Sequence, residues 1–363
     1  MRDSRPSPRA SRAAGSNRRR SWAAVGSVAL LAVAGCVPMA DRDRGGAVAH
    51  PPAGVGERIV DTHDGALIGY SELIARATAA DVLYLGEKHD NPWHHVAQRA
   101  VVADLVGQGL RPAVGLEIVP RDADPALAAY VSGAQTDTAL AEQTLREALG
   151  WTADDDSRWA RYGPLLELAR AHRLFAFGID LPVELRRRMT RSGVGGLDAT
   201  ERARLPMTLA EDPAYAALMT ARLRQMHCGH GDARYLGRLL DVWTARNETM
   251  ADAVAAATAH GKPVVVVVGT GHLHHDRGLY ERAARRPQVG TQLNLGMREA
   301  APDGSIPGDV TSTLEFAGAR FAPNHHLVWI TPRVDDGGVD PCEMFRKRTP
   351  AAGRSASDGA SRG

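Results

Sequence analysis

Short runs of apolar, largely β-branched residues alternate with long stretches of helical periodicity between residues 58 and 347. The runs Val82–Leu85, Ala113–Leu116, Leu174–Gly178, Val264–Val268, Thr291–Leu295 and Leu327–Ile330 read as strands. The five valines from Val264 to Val268 leave no polar face, which predicts a central strand covered on both sides. Asn91-Pro92 offers an N-cap followed by a proline suited to the first turn, so a helix is expected through about Val106. Residues 124–172 and 181–259 are almost wholly helical in pattern, and part of this surplus, about 121–240, is expected to form a small helical insertion beside the sheet. Asp64-Gly65 reads as a hairpin turn, which would lay a short antiparallel ribbon on one edge. Strands alternating with helices give an α/β fold with a mostly parallel central sheet flanked by helices and a small helical subdomain.

Ahead of that body the pattern changes. Residues 1–35 combine an arginine-rich start, an apolar run from Ala23 to Val33 and small residues before a cysteine, the three parts of an export signal. The apolar run is too short to span a bilayer. Val33-Ala34-Gly35-Cys36 resembles the lipobox cut by the lipoprotein signal peptidase, so Cys36 is the expected site of lipidation. Residues 36–57, rich in Gly, Pro, Ala and charge, suit a flexible tether, and 348–363 are too polar to bury and are expected to be disordered. The expected location is the bacterial cell envelope, lipid-anchored to its membrane, the outer membrane in a Gram-negative cell.

The signal also changes the charge balance. It holds seven arginines against one aspartate, so its removal takes the formal net charge from +2 to −4. A nucleic-acid partner calls for a basic footprint, and here the basic excess sits in the discarded segment, which excludes that class. Beyond Cys36 two cysteines remain, Cys228 and Cys342, in an oxidising compartment. They can form one disulfide, or Cys228 can ligate a metal within His227-Cys228-Gly229-His230.

Candidate chemistry follows from where polar residues fall at strand ends. The Val82 strand ends in Gly86-Glu87-Lys88-His89-Asp90, the Ala113 strand in Glu117, the next in Asp180, and the Val264 strand in Gly269-Thr270-Gly271-His272. Ligands of open parallel sheets bind in the crevice outside the carboxyl ends of the strands, so these ends aim Glu87, His89, Glu117, Asp180 and His272 at one face. Gly-x-x-His occurs twice, at Gly86–His89 and Gly269–His272; glycine lets the backbone turn sharply and the imidazole point back over the sheet edge. Two histidines and a carboxylate, His89, His272 and Glu117, make a normal first shell for iron or for a divalent metal such as zinc. Asp180 is expected to cap the helix beginning near Pro182, and His274 and His275 to be solvated residues of a helix start. His94 and His95 leave opposite sides of their helix, so at most one reaches the crevice. His227 and His230 share a helical face only if the helix persists through Gly229. Arg246 is expected to reach an anionic group.

Taken together, Gly86-Glu87-Lys88-His89-Asp90 with His94, Glu117, His227-Cys228-Gly229-His230, Arg246-Asn247-Glu248-Thr249-Met250-Ala251 and Gly269-Thr270-Gly271-His272-Leu273 resemble the ChaN family of haem-binding envelope lipoproteins, within the superfamily of Tiki, TraB and erythromycin-esterase-like proteins. The similarity covers about residues 58–347. It implies haem binding linked to iron acquisition and admits a homodimer around the cofactor. It further implies a cofactor site drawn from His89, His94, Glu117, His227, His230, Arg246 and His272. No Tyr, Met or His falls in a motif that fixes an axial ligand, and the absence of Cys-x-x-Cys-His excludes covalent c-type haem. Some superfamily members are metal-dependent hydrolases, so a second expectation is hydrolysis with Glu87 as general base and Arg246 as a catalytic partner. A third is a non-catalytic interaction protein. There is no Gly-x-Ser-x-Gly, His-Glu-x-x-His or Gly-x-x-x-x-Gly-Lys to support other enzyme classes.

Overall fold

The computed structural model describes residues 58–151, 156–206, 212–334 and 342–343. The expected signal (1–35), the tether with Cys36 (36–57) and the tail (348–363) lie outside the described residues.

The chain opens with a two-stranded ribbon, β1 (Ile59–Asp61) and β2 (Leu67–Ile68), turned at Asp64-Gly65 as expected. Gly65, at φ 77, sits in the left-handed region that the turn requires. There follow α1 (Tyr70–Ala79), β3 (Val82–Glu87), α2 (Pro92–Gly107) and β4 (Ala113–Pro120). Three helices, α3 (Asp124–Ser132), α4 (Thr138–Ala148) and α5 (Asp156–Ala171), precede β5 (Ala176–Asp180). A second helical stretch comprises α6 (Val183–Ser192), α7 (Ala199–Ala203), α8 (Pro213–Met226) and α9 (Ala233–Ala257). The chain closes with β6 (Val264–Gly269), α10 (Leu279–Ala284), β7 (Gln292–Glu299), a small ribbon of β8 (Leu314–Phe316) and β9 (Ala319–Phe321), and β10 (Leu327–Thr331). The main sheet runs β2-β1-β10-β7-β3-β6-β4-β5. All its pairings are parallel except those of β1 with β2 and β10. Within the helical surplus of residues 121–240, β5 belongs to this sheet and divides the helices into two groups. Among the described residues no helix is long and apolar enough to cross a membrane.

The valines explain why β6 is central. Val265 and Val267 join the core under α1, α2 and α5, while Val264, Val266 and Val268 join the core under α9 and α10. All five are at most 1% exposed, and each stabilises by roughly 1.5–3 kcal/mol. A polar residue at any of these positions would be buried without water on either side.

The helices begin where side-chain caps allow. The Asn91 side chain accepts from the Trp93 N–H ahead of Pro92, the Asp232 side chain accepts from Tyr235 to start α9, and Asp198 with Glu201 forms a capping box on α7. Pairing then sets the site. In the β3–β6 register Gly86 faces Val268 and Glu87 faces Gly269, while Leu116 of β4 faces Val267. The two Gly-x-x-His segments therefore leave neighbouring strands at one level, beside Glu117.

Candidate functional site

Glu87, the last residue of β3, is 3% exposed and makes contacts from both oxygens. His89 Nδ1–H and the Tyr162 hydroxyl donate to Oε1, the former at 2.7 Å. Gln98 Nε2 donates to Oε2 at 2.6 Å, and His95 Nδ1 lies 3.4 Å from the same oxygen. Burial pushes the Glu87 carboxyl up, but the hydrogen bond from His89 and the positive character of His95 and His89 outweigh it and hold the carboxyl below its usual range. The same bond raises His89, against burial and with help from the Glu117 charge. The His89 side chain is 52% exposed, and with Nδ1 committed to Glu87 its Nε2 is the nitrogen left for a ligand.

Glu117 lies where the register of β4 against β5 shifts, between Leu116 and Pro120, and its Oε2 accepts from the Gly269 N–H at 2.6 Å. A Cβ on Gly269 would fall 3.2 Å from His89 Nε2 and 3.3 Å from Glu117 Oε2, so glycine is what lets the imidazole and the carboxylate approach this strand end. Glu117 Oε1 is the convergence point of the site, with His272 Nε2 at 3.4 Å, His89 Nε2 at 4.0 Å and a hydrogen bond from Arg246 Nη2. Burial opposes ionisation of Glu117, but His272 and Arg246 win and hold its carboxyl well below the usual range. His272 is 4% exposed and is pushed down by burial. Its Nδ1–H donates to Asn247 Oδ1 at 2.8 Å, an oxygen oriented by the donation of Asn247 Nδ2 to the Trp243 carbonyl. The Trp243 ring stacks on His272 with centroids 4.0 Å apart, which fixes the plane of the imidazole.

Arg246 of α9 does find anions, but they belong to the protein. It donates to Asp180 from Nε at 2.7 Å and from Nη2 at 3.0 Å, and to Glu117. Asp180 is therefore not a helix cap; it accepts from the Leu181 N–H and from Arg186 and Arg246, and α6 begins after Pro182.

Glu87, His89, Glu117, Arg246 and His272 thus come together, and several expected roles change. Glu87 lies behind His89, bonded from several directions, so the exposed base is His89 and not Glu87. The Arg246 guanidinium already neutralises the Glu117 oxygen that His89 and His272 face. Among the described residues no group of three His, Cys, Asp or Glu side chains is arranged to hold a metal ion. His94 is fully buried away from the crevice, its Nδ1 accepting from the Lys88 N–H at 2.8 Å and its Nε2 bonded to Thr331 Oγ1 at 3.0 Å. Burial pushes it down to about 4, so it is a neutral structural imidazole. His227 and His230 do not share a helical face, because α8 ends at Met226 and the turn passes through left-handed Cys228 (φ 57) and Gly229 (φ 79). Cys228 is bonded to Cys342, with Cα atoms 5.5 Å apart, which excludes it as a metal ligand.

Three supporting residues went unread in the sequence. Gln98 carried a signal, being a polar residue one turn after His94 on the buried face of α2. Asn247 stands beside Arg246 on α9. Tyr162 lies 75 positions from the glutamate it serves, and nothing local marks it.

Comparisons with known proteins agree with this architecture. A family model described as "Haem-binding uptake, Tiki superfamily, ChaN" matches residues 73–283. Among solved structures, one titled as cofacial heme binding to ChaN of Campylobacter jejuni aligns with a TM-score of 0.55 and 17% identity, covering 75% of this chain and 95% of that one. An erythromycin esterase mutant in its open conformation aligns at 0.43 with 12% identity over 75% and 95%, and a Bacillus cereus protein at 0.37 with 14% identity over 70% and 72%. No curated protein matches the chain.

Proposed function

The chain belongs to the haem-binding uptake family of the Tiki superfamily that includes ChaN, and from that premise we propose that it is a lipid-anchored envelope protein that binds haem for iron acquisition. His89 carries this reading. Its ring is half-exposed, its Nδ1–H is tied to a buried carboxylate, and its Nε2 is turned to the crevice. An imidazole oriented in this way is a common donor to haem iron, with the carboxylate fixing the tautomer and raising the basicity of the ligating nitrogen. The donor set therefore fits haem: His89 Nε2 would hold the iron, and Glu87 with Tyr162 and Gln98 would keep that imidazole in place. Bound haem would supply an iron centre; the residues described here do no more than orient the ligand and hold its proton. The lipid anchor at Cys36 would keep the carrier at the membrane across which iron is taken up.

Titrating residues 37–363 with haemin should give a saturable Soret shift. Glu87→Gln should weaken binding by about 10–100-fold, the usual effect of losing a partner behind a metal-ligating histidine. A titration without a saturable shift contradicts haem binding. Full binding by His89→Ala, with loss in His230→Ala, would instead place the haem at the α8–α9 turn, where Met226 is 58% exposed next to His227.

A further inference from the structure

Toward β7 and β10 lies a second group of histidines. A cavity of about 290 Å³ is lined by Thr270, His274, Asn324, His325, Met297 and Val328 among others, and by none of Glu87, His89, Glu117, Arg246 or His272. The expectation that His274 and His275 are solvated does not hold: His275 is 6% exposed and His274 is half-buried.

The tautomers of the two cavity imidazoles follow from their partners. Arg222 Nη1 is 2.9 Å from His274 Nδ1. A guanidinium can only donate, so Nδ1 accepts and the His274 proton sits on Nε2. Asn294 Nδ2 donates to the Leu273 carbonyl and to Asp276 Oδ1, which leaves Asn294 Oδ1 facing His325 Nδ1 at 2.8 Å. His325 therefore carries its proton on Nδ1 and offers a lone pair at Nε2. Burial pushes His325 down to about 3 and His274 well below the ordinary imidazole range, so both rings are neutral. A third group is unsatisfied: Asn324 Oδ1 is buried and has no hydrogen-bond partner. The segment carrying His274 is held in an unusual backbone, with the non-glycine residues His275 and Asp276 at φ 63 and 55. Gly296 is what admits the His325 ring, since a Cβ there would fall 2.1 Å from His325 Cδ2.

We propose that this cavity is a second binding site, for a small uncharged ligand of the amide class. Its N–H group would donate to His325 Nε2 and Asn324 Oδ1, and its carbonyl would accept from His274 Nε2–H. Arg298 and Asp309 also line the cavity but pair with each other at 2.8 Å and add no net charge; an anion is then disfavoured by the two acceptors, and a cation by the His274 N–H and by Arg222 behind it. The walls contributed by Met297 and Val328 suit a short apolar substituent. The site does not depend on haem.

The test uses residues 37–363 labelled with ¹⁵N-histidine, with acetamide as probe. The expected result is a saturable shift of the His274 and His325 imidazole signals with His89 unmoved, weakened at least tenfold in Asn324→Leu. A thermal melt confirms that this variant folds, and Thr270→Val provides a second variant from the same cavity. Three outcomes would overturn the proposal. One is imidazole signals showing the opposite tautomers, another is no saturable shift, and the last is shifts spread equally over all histidines, which would mean an adventitious additive only.

Discussion

Two groups of histidines sit at the carboxyl ends of the strands, one at β3, β6 and β4 and the other toward β7 and β10, and they differ in what faces them. His89 sits against Glu87, with Glu117 further off, and His272 also faces Glu117. His274 and His325 face a guanidinium and an amide. The first setting stabilises positive charge on His89 and raises it; in the second, burial outweighs the one opposing charge, that of Asp276, and His325 falls to about 3. The difference teaches that burial alone does not decide what a strand-end histidine can do. A carboxylate behind the ring makes it a more basic imidazole, whereas an amide behind it makes a fixed neutral hydrogen-bonding group. His272 lies between the two cases: burial outweighs the pull of Glu117 and lowers it, and the Arg246 charge adds to the fall.

The largest expected effect comes from removing the counter-ion of the charged group. Arg246→Ala should cost about 3–5 kcal/mol in urea unfolding, because Glu117 and Asp180 are left buried without their shared cation. Adding Glu117→Gln should recover part of that loss. His325→Leu should cost less, about 1–3 kcal/mol, since it strands only the neutral Asn294 Oδ1. Equal costs would break the comparison, for they would mean that charge is no more important on one side than on the other.

The pH dependence separates the groups further. His325, lowered to about 3, and His94, lowered to about 4, bind fewer protons folded than unfolded. Their contribution is present above the ordinary imidazole value of 6.5 and is lost as pH falls toward those numbers. Glu87 and Glu117, both lowered, add to the loss as pH falls below the ordinary 4.5. His89, raised, has the opposite sign: its contribution is present below 6.5 and is lost as pH rises through its folded value. The melting temperature should therefore fall from pH 6.5 toward pH 3, and His325→Leu should flatten that fall. A slope unchanged by that variant would count against a neutral buried His325.

Much of this was legible in the sequence, for identifiable reasons. The six strands announced themselves because buried parallel strands must be apolar on both faces, and β6 is the extreme case. The ends were harder. β4 continues through Ile118, Val119 and Pro120, and β7 runs on to Glu299, because polar residues at a strand's exit do not stop backbone pairing with a neighbour. The crevice residues were legible because a strand end is a local feature. Partners supplied across the fold were not: Tyr162 reaches Glu87 from α5, and Arg222 reaches His274 from α8. His94 looked like a ligand because its spacing matched a motif, while the Lys88 N–H and Thr331 that occupy it are visible only in three dimensions. The same holds for His227-Cys228-Gly229-His230, where a turn and a disulfide replaced the helix that the i, i+3 spacing suggested.

Glu87→Gln should produce the smallest effect on folding and the most selective one on chemistry. It should lower the titration midpoint of His89 and leave His325 where it is. A histidine titration followed by NMR, in the parent chain and in this variant, is the most direct check. The expected result is a His89 midpoint above 6.5 in the parent, a lower one in the variant, and a His325 that stays neutral to about pH 3 in both. His89 and His325 titrating together, or a His89 indifferent to the loss of the Glu87 charge, would contradict the assignment of their different roles to the groups behind them.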